Sequence, residues 1–209
     1  MNIHLREVSR ELVGQLSQIC LSFFQREFLG AFHGSISARI SQDRFVINKR
    51  EVIFDNICES DLIVLDKTHD YRWNDASSDA HIHANIYASF SEAKFICYAS
   101  SPYITAFSLK NANLKPQDYF GYEMLGEEID IFDPKDFESW YERADTDIVR
   151  NLKATKRNFI IIRGYGVYVF GRDIGHLNKI VALIDHSVKV LTLAEGLYLN
   201  TKDSTHFEV

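Results

Sequence analysis

A layered α/β/α fold is predicted for this chain of 209 residues. Three observations predict it. Amphipathic helical patterns stand near both ends, over residues 12–23 and 177–191. Short β-branched runs pair around tight turns between them, and cap-plus-proline signals start further helices in the interior. Helices with one apolar stripe must bury it, and a sheet covered on both faces buries the stripes at both ends of the chain.

The elements follow in order. Leu5, Val8, Leu12, Leu16, Ile19 and Phe23 recur at three- and four-residue steps, the stripe of a first helix expected to end near Gly30. Residues 36–40 and 44–48 read as two strands around a Gln42-Asp43 turn, and residues 61–66 as a short buried strand bounded by charge. A helix is expected to start at Ser77 or Ser78, whose hydroxyls can accept from a first-turn N–H. Asp79 there suits the positive end of the helix dipole, with His83, Ile86, Tyr87 and Phe90 on the inner face.

Residues 95–98 read as a strand. Ser101-Pro102 pairs a cap with proline at the first helical position, so a short helix runs through Tyr103, Ile104 and Phe107. Residues 110–132 show no clear period. Asp133-Pro134 reads as another cap-plus-proline start, opening helical segments from about 134 to 156. Residues 159–162 and 167–170 flank Gly164-Tyr165-Gly166 as a tight hairpin. Asp173 caps a last long helix with Leu177, Ile180, Val181, Ile184, Val188 and Leu191 facing inward, and the polar tail from Asn200 is expected to fray.

Composition bounds the function classes. With 46% hydrophobic and 13% aromatic residues, the chain can bury one sizeable core, so residues 1–209 are read as a single domain. Three prolines and ten glycines are too few for a linker or a low-complexity region. A net charge of -6, with basic residues dispersed apart from the small cluster at 153–157, argues against a nucleic-acid or anionic-membrane surface. Cys20, Cys58 and Cys97 contain no Cys-x-x-Cys, and Cys20 and Cys97 sit in apolar runs as buried small hydrophobes, which fits a reducing cytoplasm. The polar N-terminal stretch has no signal-peptide core, and no apolar run approaches the roughly 20 residues that span a bilayer. The expected location is therefore cytoplasmic.

The motifs with chemistry form an ordered set. Gly34-Ser35-Ile36-Ser37-Ala38-Arg39 follows the first helix, then come Phe45-Val46-Ile47-Asn48 and Asp61-Leu62-Ile63-Val64-Leu65-Asp66. Ser77-Ser78-Asp79-Ala80-His81-Ile82-His83 precedes Tyr98-Ala99-Ser100-Ser101-Pro102, and Gly164-Tyr165-Gly166 with Gly171-Arg172 closes the series. Taken in order over residues 12–194, they resemble the class II aldolase/adducin family. The resemblance implies a three-layer α/β/α fold with a central mixed, largely antiparallel sheet. It also implies a homo-oligomer, commonly a tetramer, with the cleft near a subunit boundary.

The same resemblance carries an expected site. In catalytic relatives a divalent metal on three histidines polarises a carbonyl or enediolate as a Lewis acid. An acid at the end of the Ser-Ser motif moves a proton, and the Ser-Ser pair with a Gly-Asn turn helps hold a phosphate. The acid falls on Asp79, the phosphate contacts on Gly34, Ser35, Ser77 and Ser78, and the three histidines on Tyr98, Ser100 and Tyr165. A phenol with a pKa near ~10 is mostly protonated at neutral pH, and a serine hydroxyl is a poor ligand. Two phenols would also fill the metal's volume, and a hydrogen bond among the three would satisfy their hydroxyls if buried. Near the phosphate position, Arg50 would attract an anion and Glu51 would repel one.

Each feature has a plainer reading. Ser77 and Ser78 serve as helix caps or as phosphate contacts, and Asp79 as a proton-transfer residue or as a carboxylate at a helix N-terminus. His81 and His83, two apart on a helix, point in different directions; a displaced metal site would need Asp79 with His83, and His33 is a further candidate ligand. Tyr71, Trp73, Tyr119, Phe120 and Tyr122 lie in loops, as a binding surface or under a neighbouring subunit. No Gly-x-Gly-x-x-Gly or Walker motif occurs.

The expectation is a degenerate site with no metal and no cofactor, acting as a non-catalytic or repurposed oligomeric scaffold or as a binder of a small anionic or sugar-like ligand. Its ligand-binding candidates are Gly34, Ser35, Ser77, Ser78, Tyr98, Ser100 and Tyr165, and its one catalytic candidate is Asp79. The alternative is an aldehyde-lyase, epimerase or dehydratase acting on a sugar phosphate, using Asp79 with a displaced divalent metal or none. A third reading is a structural partner protein with residues 110–130 as its contact surface.

Overall fold

The computed structural model describes residues 8–30 and 33–203. Its strands are β1 (Ser35–Arg39), β2 (Arg44–Asn48), β3 (Leu62–Asp66), β4 (Phe95–Ala99), β5 (Asn113–Leu114), β6 (Ile129–Phe132), β7 (Phe159–Ile162) and β8 (Gly166–Gly171). They form one sheet in the order β3-β2-β1-β4-β8-β7-β6-β5. Every neighbouring pair is antiparallel except β6 with β7, which is parallel. The helices are α1 (Arg10–Gln25), α2 (Ala80–Ser89), α3 (Pro102–Lys110), α4 (Tyr119–Leu125), α5 (Phe137–Trp140), α6 (Ala144–Thr155) and α7 (Ile174–Asp203). The result is a three-layer α/β/α architecture around a mixed, mostly antiparallel sheet.

Strand alternation divides the core in two. On one face Ile36, Ala38, Val64, Cys97 and Val169 pack against α1 and α7 through Leu16, Phe23 and Val181. On the other face Ile47, Leu65, Ile96 and Phe170 pack against α2 and α6 through Ile82, Ile86, Ile148 and Leu152. Each such side chain, once buried, contributes about 1.5–3 kcal/mol, so both helix layers are held by the sheet rather than by helix propensity. Cys20 and Cys97 are buried in this packing, Cys58 is exposed, and all three are free. No helix among the described residues is long and apolar enough to cross a membrane.

Several local expectations are met with a shift. Ser9 caps α1 by accepting from Leu12 N–H at 3.1 Å, and Leu5 lies outside the described residues. The helix ends at Gln25, not near Gly30. Glu27 takes a left-handed φ of 60°, the N–H of Phe28 reaches the carbonyl of Phe23 at 2.9 Å, and their rings meet edge-on at 5.7 Å. That is a Schellman ending with a non-glycine residue, fixed by the hydrophobic contact that accompanies it. Asp173 caps α7 by accepting from His176 N–H at 2.8 Å, and the helix continues past Asn200 to Asp203.

Other starts are corrected. Helix α2 begins at Ala80, and Asp79 occupies the capping position without making a capping bond. Ser77 instead accepts from the N–H of Asp79 at 3.3 Å. Pro102 opens α3 as expected, but the Ser101 hydroxyl donates to Asp185 at 2.5 Å and does not cap. Asp133 folds a local turn, accepting from Lys135 N–H at 2.8 Å, and the helical cap is Asp136, which accepts from Glu138 and Ser139. The stretch without a period holds β5, α4 and β6. Helix α4 leaves Tyr119, Phe120 and Tyr122 exposed, as is Tyr71 in its own turn.

Candidate functional site

Strand β1 carries Ser35 and Ser37 between Ile36 and Ala38, so the serines face α2 while the apolar pair faces α1 and α7. Two strand residues advance about 6.6 Å and four helix residues about 6 Å, so the serine pair matches a four-residue ladder on a helix packed across it. Asp79, His83 and Tyr87 supply that ladder. Ser35 Oγ lies 2.7 Å from Asp79 Oδ2 and 2.8 Å from His83 Nε2. Ser37 Oγ lies 2.6 Å from His83 Nδ1 and 2.8 Å from the Tyr87 hydroxyl. All five residues are buried.

The direction of each bond follows from valence. An ionised carboxylate only accepts, so the Ser35 proton is committed to Asp79 and Ser35 accepts from His83 Nε2–H. Nδ1 of the neutral ring then accepts from Ser37, which in turn accepts from Tyr87. Burial, with a smaller contribution from the charge of His81, pushes the His83 imidazole down to about 3, so the ring is neutral throughout this chain. The other oxygen of Asp79, Oδ1, accepts from the Tyr141 hydroxyl at 2.7 Å. His81 turns away, with Nδ1 at 2.9 Å from the carbonyl of Ser78.

A second constellation stands beside Asp79. Tyr98 ends the serine-paired row of the sheet, opposite both Ser35 and Tyr168. Its hydroxyl donates to the backbone carbonyl of Tyr165 at 2.9 Å, and Ser100 Oγ donates to the same oxygen at 3.2 Å. The rings of Tyr98 and Tyr165 approach to 4.8 Å, those of Tyr98 and Tyr168 to 5.0 Å, and Trp140 meets Tyr165 edge-on at 5.3 Å. Gly166 permits the closeness: a Cβ there would lie 2.4 Å from the carbonyl oxygen of Ala99. Burial first, with the Asp79 charge adding to it, pushes the phenols of Tyr98, Tyr141 and Tyr165 up, so all three stay protonated.

These groups line one cleft of about 390 Å³. Gly34, Ser77, Ser78, Asp79, Tyr98 and Tyr165 reach it, together with His33 and residues 48–52. Ser35 and Ser100 do not line it: Ser35 is only 1% exposed and spent on Asp79 and His83, and Ser100 is spent on the Tyr165 carbonyl. Asn48 joins the walls, accepting from Ile36 N–H at 2.8 Å through its side chain and from Ser77 N–H at 3.0 Å through its carbonyl. Arg50 is exposed at the mouth.

The sequence pattern of the class II aldolase and adducin N-terminal domain matches residues 14–192. The chain belongs to the class II aldolase/adducin family. Among solved structures, its fold is similar to L-fuculose-1-phosphate aldolase from Thermus thermophilus, at 20% identity and TM-score 0.80, covering 92% of this chain and 97% of that one. It is also similar to a sugar-phosphate aldolase from Thermotoga maritima, at 14% identity and TM-score 0.70 over 90% and 96%. L-fuculose 1-phosphate aldolase from Glaciozyma antarctica is similar at 18% identity and TM-score 0.67 over 94% and 78%. At these identities the likeness shows the fold. No curated protein sequence matches the chain.

In this class II aldolase/adducin chain, the residues at the expected metal position do not fit a divalent ion. The histidine-held ion that the family resemblance implies takes imidazole, thiolate or carboxylate donors. Tyr98 and Tyr165 offer protonated phenols, and the protons of Tyr98 and Ser100 are turned onto a backbone oxygen. The displaced set fits no better, because both ring nitrogens of His83 are engaged by Ser35 and Ser37. Among the described residues no group of three or more His, Cys, Asp or Glu is placed to hold a metal.

The sequence pattern points to the cleft residues but misses the groups that set them. It carries Ser37 and Asn48 inside motifs without giving either a role, does not single out Tyr141, and reads Tyr87 as core. The available signal is the pairing of alternate serines in β1 with Asp79, His83 and Tyr87 at four-residue spacing. Tyr141 carries no local signal, since its contact with Asp79 comes from the packing of the turn at Tyr141–Arg143 beside α2.

Proposed function

We propose that this class II aldolase/adducin protein works without the family's three-histidine metal, as a repurposed binder of a small anionic or sugar-like ligand within a homo-oligomer. The observation that carries this reading is the joint hydrogen bonding of Tyr98 and Ser100 to the Tyr165 carbonyl under packed aromatic rings. A Lewis acid needs lone pairs directed at it; here the hydroxyls of Tyr98 and Ser100 direct their protons to the backbone of Tyr165. The cleft beside them supports ligand binding. It has the volume of a small-molecule site, the Ser77-Ser78 turn on one wall and Arg50 at the mouth. The solved structures with the same fold include aldolases of phosphorylated sugars, which supports an anionic ligand. Family membership supports the oligomer, with a tetramer expected. The three free cysteines support a reducing, cytoplasmic setting.

A second reading is favoured by one contact. Asp79 lines the cleft with the Tyr141 hydroxyl on Oδ1, so a carboxylate and a phenol stand together where a proton could be moved. That reading makes the chain an aldehyde-lyase, epimerase or dehydratase of a sugar phosphate with a rearranged site.

Titration of the purified protein with inorganic phosphate and with glucose 6-phosphate, followed by calorimetry and thermal shift, tests the first reading. Saturable binding weakened by Arg50→Ala is expected. Failure of both probes to bind would overturn a simple anion site at Arg50. Turnover of any sugar phosphate that is lost in Asp79→Asn would establish the second reading instead.

A further inference from the structure

The charge pattern of the cleft specifies more than an anion. Asp79 is 4% exposed and lines the cleft. Its oxygens accept from two neutral hydroxyls, Ser35 and Tyr141, and among the described residues it forms no ion pair. Hydroxyl donors reduce the cost of a buried carboxylate without cancelling its charge. The donor set described above does not fit a divalent ion that could neutralise it.

The groups next to Asp79 favour a positive charge of a different kind. Tyr98 and Tyr165 line the same cleft, and phenol rings attract an organic cation through their electron-rich faces. Basic side chains line the same cleft, together with the carboxylate of Glu51. Arg50 is exposed and makes no ion pair among the described residues, and Lys49 lines the cleft beside it while donating to the Ser60 carbonyl at 2.6 Å. The cleft therefore presents both signs of charge, the carboxylates of Asp79 and Glu51 with two phenol rings, and the basic side chains of Lys49 and Arg50.

We infer that the cleft binds a small zwitterion, a molecule whose ammonium group meets Asp79 and the rings of Tyr98 and Tyr165 while its phosphate or carboxylate meets Arg50. The inference rests on the proposed ligand-binding, metal-free reading of the cleft. The ammonium supplies from the ligand a positive charge that neither hydroxyl bonded to Asp79 provides. Replacing the ammonium by a hydroxyl leaves the anion contact intact and removes the charge facing Asp79.

Glucosamine 6-phosphate and glucose 6-phosphate form a matched pair that differs only in this group, and N-acetylglucosamine 6-phosphate removes the charge while keeping the nitrogen. Calorimetric titration of the full chain at neutral pH is expected to give glucosamine 6-phosphate about tenfold tighter binding than either partner. Asp79→Asn is expected to abolish that preference, and Arg50→Ala to weaken all the phosphates alike. Since Asp79 is buried and its substitution could disturb the fold, the two comparison ligands read the same preference on the unmodified protein. Equal affinity for glucosamine 6-phosphate and glucose 6-phosphate would overturn the ammonium inference while leaving an anion site in place. Absence of binding by all three would overturn both.

Discussion

The hydroxyl of Tyr98 donates to the carbonyl oxygen of Tyr165 at 2.9 Å, and the two rings lie 4.8 Å apart. One strand end and one hairpin turn are thereby tied by side chains at positions where the family resemblance places metal ligands. The tie shares its acceptor with Ser100. The physical question at this site is thus one of hydrogen bonding and ring packing.

Because both donors serve one oxygen, their loss is coupled. Tyr98→Phe keeps the ring and removes one donor, so it is expected to cost about 1 kcal/mol in urea unfolding, and Ser100→Ala less. The double variant leaves the carbonyl without either donor and should cost more than the sum of the single changes. Additive costs would show that the two hydroxyls do not act on the same oxygen.

Gly166 sets the closeness of the turn. An alanine Cβ would sit 2.4 Å from the carbonyl oxygen of Ala99 and 2.8 Å from the ring of Tyr98. The first clash is with backbone, which cannot swing aside. Gly166→Ala is expected to lower stability by about 2 kcal/mol or more and to perturb tyrosine near-ultraviolet dichroism. Unchanged stability would mean that the turn has room for a Cβ beside the Ala99 carbonyl.

Ser35 is an internal bridge, which separates it from Ser78. Ser35→Ala strands Asp79 Oδ2 and the His83 Nε2–H in a buried site, and a loss of about 3 kcal/mol is expected. Ser78 is exposed, and Ser78→Ala should change stability by no more than about 0.5 kcal/mol. Comparable costs at the two positions would contradict the buried relay.

His83 gives the fold a pH dependence of known sign. Burial holds its folded pKa at about 3, below the unfolded value of 6.5, so the unfolded chain binds the extra proton between those limits. The stabilising contribution is complete above pH 6.5 and is lost as pH falls toward 3, at up to about 1.4 kcal/mol per pH unit. Urea midpoints from pH 7 to 5 should therefore fall more steeply for the native protein than for His83→Gln. Parallel curves would show that the buried ring is not the source.

Long elements are legible in the sequence because burial repeats along them. Leu177, Ile180, Val181, Ile184 and Val188 trace one face of α7, and the β7–β8 hairpin is bracketed by its glycines. The stretch over 110–132 is not legible for a physical reason. β5 is two residues, α4 is seven with only Gly121 and Leu125 buried, and β6 is four, so none completes a recognisable period. At the site, Asp79, Tyr98 and Tyr165 are recognisable as a set, whereas the Ser35–Asp79 bond depends on how α2 crosses β1, which local pattern does not encode. The start expected at Asp133 is displaced because Asp136 makes the capping bonds, and the start expected at Ser77 is displaced because Ser77 accepts from the N–H of Asp79 in a turn ahead of the helix.

The central claim is that Tyr98, Ser100 and Tyr165 replace a metal site with a hydrogen-bonded aromatic one. Its most direct test is the metal content of the purified, untagged protein expressed with zinc, manganese, iron and cobalt supplied, measured alongside a Tyr98→His/Ser100→His/Tyr165→His variant. The account predicts background metal in the native chain, with unfolding curves unchanged by a chelator. A stoichiometric divalent ion in the native protein, lost on substituting Asp79 or His83, would contradict it.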